Sequence, residues 1–230
     1  MNILITAATI FELKPFLAKI PVDFSGKNPI ENIQIHNFSI DILISGIGMV
    51  HTSYHLTKAL KRKNYDLVIN TGIAGSFNPH LQIGEVVIVE QEVFGDLGIE
   101  NSYNFESLFE SGFLNKDEFP FNDGKMICDL PEIIKTNPIR KVKGLTSNTA
   151  HGNQVNIYKL INKFEADIET MEGAAFFYVC LMEKVDFIQI RSISNYVENR
   201  DTSKWNIPLA LENLSNTFIQ LIGQINSRFS

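Results

Sequence analysis

Short apolar runs alternate with segments of helical periodicity along most of this 230-residue chain. Apolar runs bounded by turn-forming residues predict buried strands, whereas apolar positions that recur every three or four residues predict amphipathic helices. The pattern predicts strands over residues 2–8, 33–38, 40–45, 66–71, 85–94, 142–147, 166–170 and 185–190, and helices over 10–20, 50–63, 155–163, 171–183 and 205–229. Such alternation is typical of an α/β domain in which at least the central strands are parallel.

Residues 96–138 depart from this pattern, because Gly, Asn, Pro and Phe are mixed there with weak periodicity. We interpret this stretch as an excursion over the sheet and not as a separate domain. The rest of the chain contains no internal repeat, low-complexity segment or linker. The sequence therefore predicts a single α/β/α domain over residues 1–230.

Composition and charge restrict the partners. A hydrophobic content of 44% is ordinary for a protein with a sizeable core, and a net charge of −6 argues against nucleic acid. No apolar run approaches the roughly 20 residues of a membrane helix. The first residues are typical of a strand and not of a signal peptide. Cys128 and Cys180 fit no metal or redox spacing. We expect a cytoplasmic protein without a nucleic-acid or membrane partner.

The stretch from Glu169 to Asp201 places polar residues where two predicted strands end. One strand leads into Met171 and Glu172, and the other delivers Arg191, Ser194 and Asn195. Ligands of parallel α/β sheets bind outside the carboxyl ends of the strands, so we expect one pocket between two neighbouring strands. A carboxylate can bind a diol and an amide can bind the edge of a heterocycle. These residues predict a nucleoside ligand.

Two glycine-rich turns also follow strands, ISGIGMV at 44–50 and NTGIAGSF at 70–77. Such turns let a ligand approach backbone N–H groups, although tight packing explains either turn about as well. Neither matches a Walker loop or a dinucleotide fingerprint. His51 and His55 are four residues apart, but they lack a third ligand, so the sequence predicts neither a metal site nor a cofactor. Glu12 follows the first strand, where a glutamate can also simply favour the helix dipole.

Taken in order, Glu12, SGIGMV, TGIAGSF, ETMEGAA and RSISN resemble the nucleoside phosphorylase and nucleosidase superfamily, over essentially the whole chain. By pattern the most similar members are the methylthioadenosine/adenosylhomocysteine nucleosidases and the futalosine hydrolases. The resemblance implies a three-layer α/β/α sandwich around a twisted mixed central sheet, assembled into a homo-oligomer (a dimer or a tetramer). It also implies cleavage of the N-glycosidic bond of a purine nucleoside.

The resemblance assigns roles to individual residues. Glu172 would hold the ribose hydroxyls, with Met171 packed beneath the sugar. Glu12 would be the general base that activates water at C1′, and Arg191 would help to fix that water. The transition state would be oxocarbenium-like, which an anionic neighbour stabilises.

Two departures from the nucleosidase and phosphorylase patterns narrow the reaction. Methylthioadenosine nucleosidases have, at the end of this strand, an aspartate that protonates the purine. This chain has Asn195 at that position and in this respect resembles the members that act on 6-oxopurines. Hypoxanthine is then favoured over adenine as the leaving base, with Asp201 as an alternative acid. Phosphorylases have a serine where this chain has Ile73, after Gly72, together with N-terminal arginines. No arginine precedes Arg62. Water is therefore favoured over phosphate.

The segment SNYVENRD followed by Trp205 resembles the futalosine hydrolases, whose substrate is an inosine-like nucleoside with a carboxyphenyl ketone at C5′. An apolar slot and a cation for that group would come from Arg200, Lys204 or Trp205. Alternatively, the loop only caps the last helix, with Thr202 or Ser203 as the N-cap. The resulting hypothesis is hydrolysis of futalosine to hypoxanthine and dehypoxanthine futalosine, in menaquinone biosynthesis. The alternatives are a methylthioadenosine/adenosylhomocysteine nucleosidase, a purine nucleoside phosphorylase and a non-catalytic nucleoside-binding protein.

Overall fold

The computed structural model describes residues 1–26, 28, 30–35, 37–102 and 104–229, the side chains of 133 and 226–229 excepted. The strands are β1 (Asn2–Ala7), β2 (Ile30–Ile35), β3 (Phe38–Ile44), β4 (Leu67–Ser76), β5 (Val86–Phe94), β6 (Gly98–Glu100), β7 (Phe105–Ser107), β8 (Met126–Ile127), β9 (Arg140–Thr146), β10 (Ile168–Thr170) and β11 (Phe187–Tyr196). The α-helices are α1 (Lys14–Leu17), α2 (Met49–Arg62), α3 (Glu132–Lys135), α4 (Gln154–Phe164), α5 (Gly173–Glu183) and α6 (Ile207–Phe229), and 3₁₀ turns span Ile10–Glu12 and Thr202–Lys204. The strand predicted over 33–38 includes His36, which lies outside the described residues.

Nine of the described strands form a mixed central sheet. Eight of them follow the order β10, β9, β5, β11, β4, β1, β3, β2, and the ninth, β8, pairs with β5. Strands β3, β1, β4 and β11 run parallel to one another, whereas β5 is antiparallel to β11 and β2 is antiparallel to β3. Helix α2 packs against α5, and α1 packs against α6. The predicted α/β sandwich with a mixed central sheet is confirmed.

Strand β10 closes part of this sheet into a ring. It pairs with β9, and it also pairs antiparallel with the end of β4, Ile168 opposite Ser76. Strand β1 pairs with β4 only as far as Asn70, and β11 occupies the other edge of β4 up to Ser76. Strand β10 therefore pairs with the same edge of β4 as β1, farther along the strand, where β1 no longer pairs with it. Because β4 separates β10 from β11, the expectation that Glu172 and Arg191 follow neighbouring strands is wrong.

The central strands and helix α5 explain the apolar runs in the sequence. Residues 3–5 of β1 and 67–69 of β4 are at most 3% exposed, as expected for strands covered on both faces. Helix α5 is apolar on all sides, with Phe176, Phe177 and Cys180 fully buried, which is typical of a helix inside the core. Its first residue is Gly173, two positions after the predicted start.

The segment predicted as a helix over 10–20 is interrupted. A 3₁₀ turn ends at Glu12, and α1 begins anew with Pro15 in its first turn. Proline has no N–H to donate, so it is tolerated in a first turn and not inside a longer helix.

In the excursion 96–138, β6 and β7 form a separate two-stranded sheet. No helix in the described part of the chain combines the length and apolar character needed to cross a membrane.

Candidate active site

Glu12 is held at the carboxyl end of β1 by three hydrogen bonds. Its Oε2 accepts from the backbone N–H of Thr9 at 2.9 Å, as the glutamate of a capping box does, and from the Thr9 hydroxyl at 3.4 Å. Its Oε1 accepts from the backbone N–H of Ile73 in β4 at 3.4 Å. The side chain remains partly exposed, yet burial is the largest influence and raises the pKa of Glu12, against the opposing charge of Arg191. A carboxylate with a raised pKa is suited to accept a proton.

Glu172 is the N-cap residue of α5 and is only 9% exposed. Its Oε1 accepts from the backbone N–H of Gly48 at 2.9 Å. Gly48 has a φ of 91°, in the left-handed region, which a glycine adopts without strain. The first glycine-rich turn therefore supplies an N–H group to a protein carboxylate, and it orients the side chain that the sequence assigned to the ribose.

Arg191 is 2% exposed in the middle of β11. Its Nη2 donates to Oδ1 of Asn70, and Nδ2 of Asn70 donates to the carbonyl of Thr6 at 3.2 Å, so the amide of Asn70 links β11, β4 and β1. Burial lowers the pKa of Arg191, and the carboxylates of Glu172 and Glu12 oppose that effect. The ordinary value is so high that the guanidinium stays charged.

Gly72 allows Glu12 and Arg191 to approach each other. It pairs with Arg191 across the β4–β11 ladder. A Cβ added at Gly72 would collide with Oε1 of Glu12 and would lie 2.9 Å from Nη1 of Arg191. Any side chain at this position would therefore displace the carboxylate or the guanidinium. Gly72 serves this site by having no side chain.

Ser194 and Asn195 lie at a register shift in β11, between Ile193 and Asn195. Bulges of this kind often redirect side chains beside active sites. The Ser194 hydroxyl donates to Oδ1 of Asn195 at 2.7 Å, and Nδ2 of Asn195 donates to the carbonyl of Tyr196 at 3.0 Å. The amide of Asn195 is thus fixed with its oxygen toward Ser194.

The loop before α6 is more exposed than the strand ends. Asp201 is the N-cap of the 3₁₀ turn, accepting from the Ser203 N–H at 3.1 Å and from its hydroxyl at 2.6 Å. The last helix, α6, is instead capped by Asn206, whose Oδ1 accepts from the backbone N–H of Leu209 at 3.2 Å, so the expectation that Thr202 or Ser203 caps it is wrong. The hydrogen bond from the Ser203 side chain lowers the pKa of Asp201, which makes it a poor acid at neutral pH.

The Arg200 guanidinium lies 5.3 Å from the centre of the Trp205 ring, and Lys204 pairs with Glu198 at 2.7 Å.

The structure brings most of the predicted site residues together through shared contacts. Glu12, which follows β1, meets Gly72 and Ile73 of β4 and Arg191 of β11. Glu172 follows β10, with the partly exposed Met171 before it, and is near enough to influence the pKa values of Glu12 and Arg191. No hydrogen bond or ion pair described for this chain links Arg200, Asp201 or Trp205 to that group. Their contacts lie within the loop and with the backbone of Gly152.

Sequence patterns did not identify Thr9, Asn70 or Glu92, all of which contact or face the site. Asn70 and Glu92 are polar residues inside apolar strands, NTG after DLVI and EQE after VVIV. A buried polar group must be hydrogen-bonded, so a polar residue in such a run signals a specific partner. That signal is present in the sequence, but it names no partner.

Comparison with known proteins places the chain in a family. A family model described as the phosphorylase superfamily matches residues 2–223. A 5′-methylthioadenosine/S-adenosylhomocysteine nucleosidase of Buchnera aphidicola is 29% identical, covering 96% of this chain and 94% of its own. A futalosine hydrolase of Acidothermus cellulolyticus is 30% identical, covering 81% of this chain and 76% of its own. The solved futalosine hydrolase of Helicobacter pylori superposes with a TM-score of 0.81 at 20% identity, covering 97% of this chain and 98% of its own. The superfamily predicted from the motifs is confirmed: this chain belongs to the phosphorylase superfamily.

Proposed function

We propose that this chain hydrolyses the N-glycosidic bond of a purine nucleoside and that its substrate is futalosine. The observation that carries the proposal is the meeting of the Glu12 carboxylate and the Arg191 guanidinium over Gly72, with Glu172 close enough to influence the pKa of both. A carboxylate with a raised pKa beside a fixed cation is suited to bind and deprotonate water. A protein that only binds nucleosides has no use for such a base.

In the proposed reaction, Glu172 accepts hydrogen bonds from the ribose hydroxyls and Met171 packs against the sugar. Glu12 removes a proton from water as that water attacks C1′, and Arg191 holds the water. The bond from C1′ to the purine nitrogen breaks, and its electron pair leaves with the base. The two carboxylates stabilise the positive charge that develops on the sugar, which is worth most in a site with little water.

Two features support water as the nucleophile in place of phosphate. The residue whose backbone N–H donates to Glu12 is the aliphatic Ile73, and the chain has no arginine before Arg62. Both curated relatives described above, with their 29% and 30% identity, carry the names of hydrolytic enzymes. A phosphate dianion needs cationic or N–H donors, whereas water needs only the base and one donor.

Futalosine is favoured over methylthioadenosine by Asn195. An amide cannot protonate a leaving base, but it can accept a hydrogen bond from an N–H of a 6-oxopurine or donate to its oxygen. The Arg200–Trp205 pair supports the same substrate, because an aromatic face and an adjacent cation match a carboxyphenyl group.

A comparison of futalosine with inosine, each with and without phosphate, tests this function. The two substrates share the hypoxanthine base and differ at C5′. We expect phosphate-independent release of hypoxanthine from both, with at least a ten-fold higher kcat/KM for futalosine, a factor that corresponds to about 1.4 kcal/mol of added binding. Turnover of inosine that requires phosphate would mean that the protein is a phosphorylase.

Asn195→Asp tests the choice of leaving base. We expect the ratio of kcat/KM for methylthioadenosine to that for futalosine to rise by about ten-fold or more, since a positioned general acid typically contributes 10²–10⁴-fold. The carboxylate can still accept from Ser194, but the hydrogen bond that Nδ2 of Asn195 donates to the Tyr196 carbonyl is lost. Asn115→Asp, at an exposed turn, is the matched control. An unchanged ratio would remove Asn195 as the specificity residue.

The proposal includes one domain over residues 1–230 and a cytoplasmic homo-oligomer, a dimer or a tetramer. Three exposed apolar side chains on and just before α2 support association: Ile47 is 56% exposed, Val50 76% and Tyr54 62%. Exposed apolar clusters of this kind often mark interfaces. Light scattering that gives the 26.0 kDa mass of a single chain would contradict the oligomer.

A further inference from the structure

Glu92 is a fully buried carboxylate in strand β5, with no solvent exposure. Its Oε1 accepts from Nε2 of Gln189 at 2.7 Å, and its Oε2 accepts from the hydroxyl of Thr146 at 3.0 Å. Burial of an ionisable group is costly unless hydrogen bonds compensate for the lost water. None of the reaction steps described above uses this group, although it lies directly behind the site.

Two glycines leave room for the Glu92 carboxylate. A Cβ at Gly144 in β9 or at Gly173, the first residue of α5, would collide with Oε1 of Glu92. The carboxylate therefore lies against the backbone at the start of α5. A negative charge near a helix N-terminus is favoured by the helix dipole. Because Glu172 is the residue immediately before α5, Glu92 is adjacent to the base of the ribose-binding carboxylate.

Hydroxyl groups connect Glu92 to the first turn of α5. The Thr146 Oγ1 that donates to Glu92 also accepts from the backbone N–H of Ala174 at 2.8 Å and lies 3.0 Å from Oγ1 of Thr170. Thr170 in turn accepts from the N–H of Gly173 at 3.1 Å. The first two N–H groups of α5 thus donate to two threonine hydroxyls that are linked to Glu92 by hydrogen bonds. This network fixes the backbone from which the Glu172 side chain extends.

The charge of Glu92 determines how the protons in this network are arranged. When Glu92 is ionised, the Thr146 proton must point to it, and Thr170 must then donate to Thr146. When Glu92 is protonated, it can donate to Thr146, which frees the Thr146 proton for Thr170. The change in charge therefore reverses the direction of two hydrogen bonds beneath Glu172.

The charged groups that face Glu92 belong to the active site. They are Arg191 of β11, whose charge favours the ionised form, and Glu172, whose charge opposes it. Glu12 acts on the same Arg191. Three carboxylates thus share one buried guanidinium, and the charge on Glu92 changes the field at the other three groups.

We propose that Glu92 is a positioning residue for N-glycosidic cleavage, acting on Glu172 through Thr146 and the first turn of α5, and on Arg191 through its charge. This inference rests on the proposed function of the site. Ionised Glu92 sets one direction of the network and adds negative potential beneath the sugar. Protonated Glu92 reverses that direction and removes the negative potential.

Glu92→Gln measured across pH tests the proposal, with Glu90→Gln on the exposed side of the same strand as the control. Burial raises the pKa of Glu92 to about 7. We therefore expect kcat of Glu92→Gln to lie within two-fold of the unmodified protein at pH 5.5 and to fall on the order of ten-fold below it at pH 8.5, a loss typical of residues that orient a ligand-holding group. Glu90→Gln should follow the unmodified protein throughout.

The outcomes separate this inference from the proposed function. If the unmodified protein releases no base from any nucleoside, the function itself fails. If it is active and Glu92→Gln differs from it by the same factor at every pH, Glu92 has only a structural role and the inference is overturned. Thr146→Val and Thr146→Ser give a second comparison. The serine variant keeps the hydroxyl and should keep the KM for nucleoside, whereas the valine variant should raise it, and equal KM values would also contradict the proposal.

The pH dependence of the free energy of unfolding provides a readout that does not depend on activity. The pKa of Glu92 is about 7 in the folded protein, against an ordinary value of 4.5. Because Glu92 binds its proton more tightly in the folded protein than in the unfolded chain, the bound proton contributes its full stabilisation below about pH 4.5. This contribution is lost as pH rises through 7. In urea unfolding, the unmodified protein should therefore lose more stability between pH 5 and 8 than Glu92→Gln. Parallel curves would mean that Glu92 does not change charge in this range.

Discussion

Glu12→Gln is expected to lower kcat for nucleoside cleavage by about 10²- to 10⁴-fold, the range contributed by a positioned general base. Glutamine has nearly the same shape, and its oxygen can still accept from the backbone N–H of Thr9, so the 3₁₀ turn should remain intact. Its amide cannot take a proton from water. The Kd for the nucleoside, measured by calorimetry on the inactive variant, should change by less than about five-fold, which is 1 kcal/mol.

The control for this variant is Glu118→Gln, which removes the same charge at an exposed position. Single-turnover rates separate the chemical step from product release, so they are the appropriate measurement. Loss of nucleoside binding together with loss of turnover would mean that Glu12 supports the pocket instead of activating water. Retained turnover would remove it from the mechanism.

Glu172→Gln is expected to lower kcat/KM by about 10- to 10²-fold. A hydrogen bond to a charged group contributes about 1.5–3 kcal/mol, and a carboxylate can accept from both ribose hydroxyls where an amide offers one acceptor. The remaining oxygen of glutamine can keep the 2.9 Å bond from Gly48, so the turn before α2 should be unchanged.

A substrate that lacks one hydroxyl makes this test specific. The unmodified protein should discriminate strongly between inosine and 2′-deoxyinosine, and Glu172→Gln should discriminate much less, because the acceptor for that hydroxyl has been weakened. Glu183→Gln, at the other end of α5, is the matched control, since its surface ion pair with Lys61 contributes at most about 1 kcal/mol. Equal discrimination by the unmodified protein and Glu172→Gln would place the ribose elsewhere.

The sequence predicted those site residues whose place follows from the position of a single strand. Glu12 follows β1, Gly72 and Ile73 lie in β4, and Arg191 lies in β11. These strands are parallel, and β4 lies between β1 and β11. For such strands the rule that ligands bind at carboxyl ends needs only the strand positions, which apolar runs reveal. Glu12, Gly72, Ile73 and Arg191 therefore lie in contact as expected, and their roles in a substrate pocket stay predictions.

The route by which Glu172 reaches the site was not predictable in this way. An apolar run identifies β10 as a strand, but it does not state that β10 turns back to pair antiparallel with Gly75 and Ser76. Sheet order is set by long-range packing, which leaves no periodic signal. The same limit applies to Glu92, whose partners Thr146 and Gln189 lie 54 and 97 residues away in the chain.

The loop before α6 shows a different limit. Local chemistry predicted that Thr202 or Ser203 caps the last helix, and the residue that caps it is Asn206. Ser, Thr and Asn are all good N-cap residues, so nearby candidates compete and backbone geometry decides between them. The proximity of Arg200 and Trp205 also depends on that geometry.

Release of base from an equimolar mixture of futalosine and methylthioadenosine, in phosphate-free buffer, tests the central claim most directly. Both substrates compete for one site in one tube, so the ratio of hypoxanthine to adenine reports the ratio of their kcat/KM values without correction for enzyme concentration. We expect hypoxanthine to exceed adenine by at least about ten-fold at early times, a difference of 1.4 kcal/mol. Adenine in excess would contradict the account, and it would identify the chain as a methylthioadenosine nucleosidase in spite of Asn195.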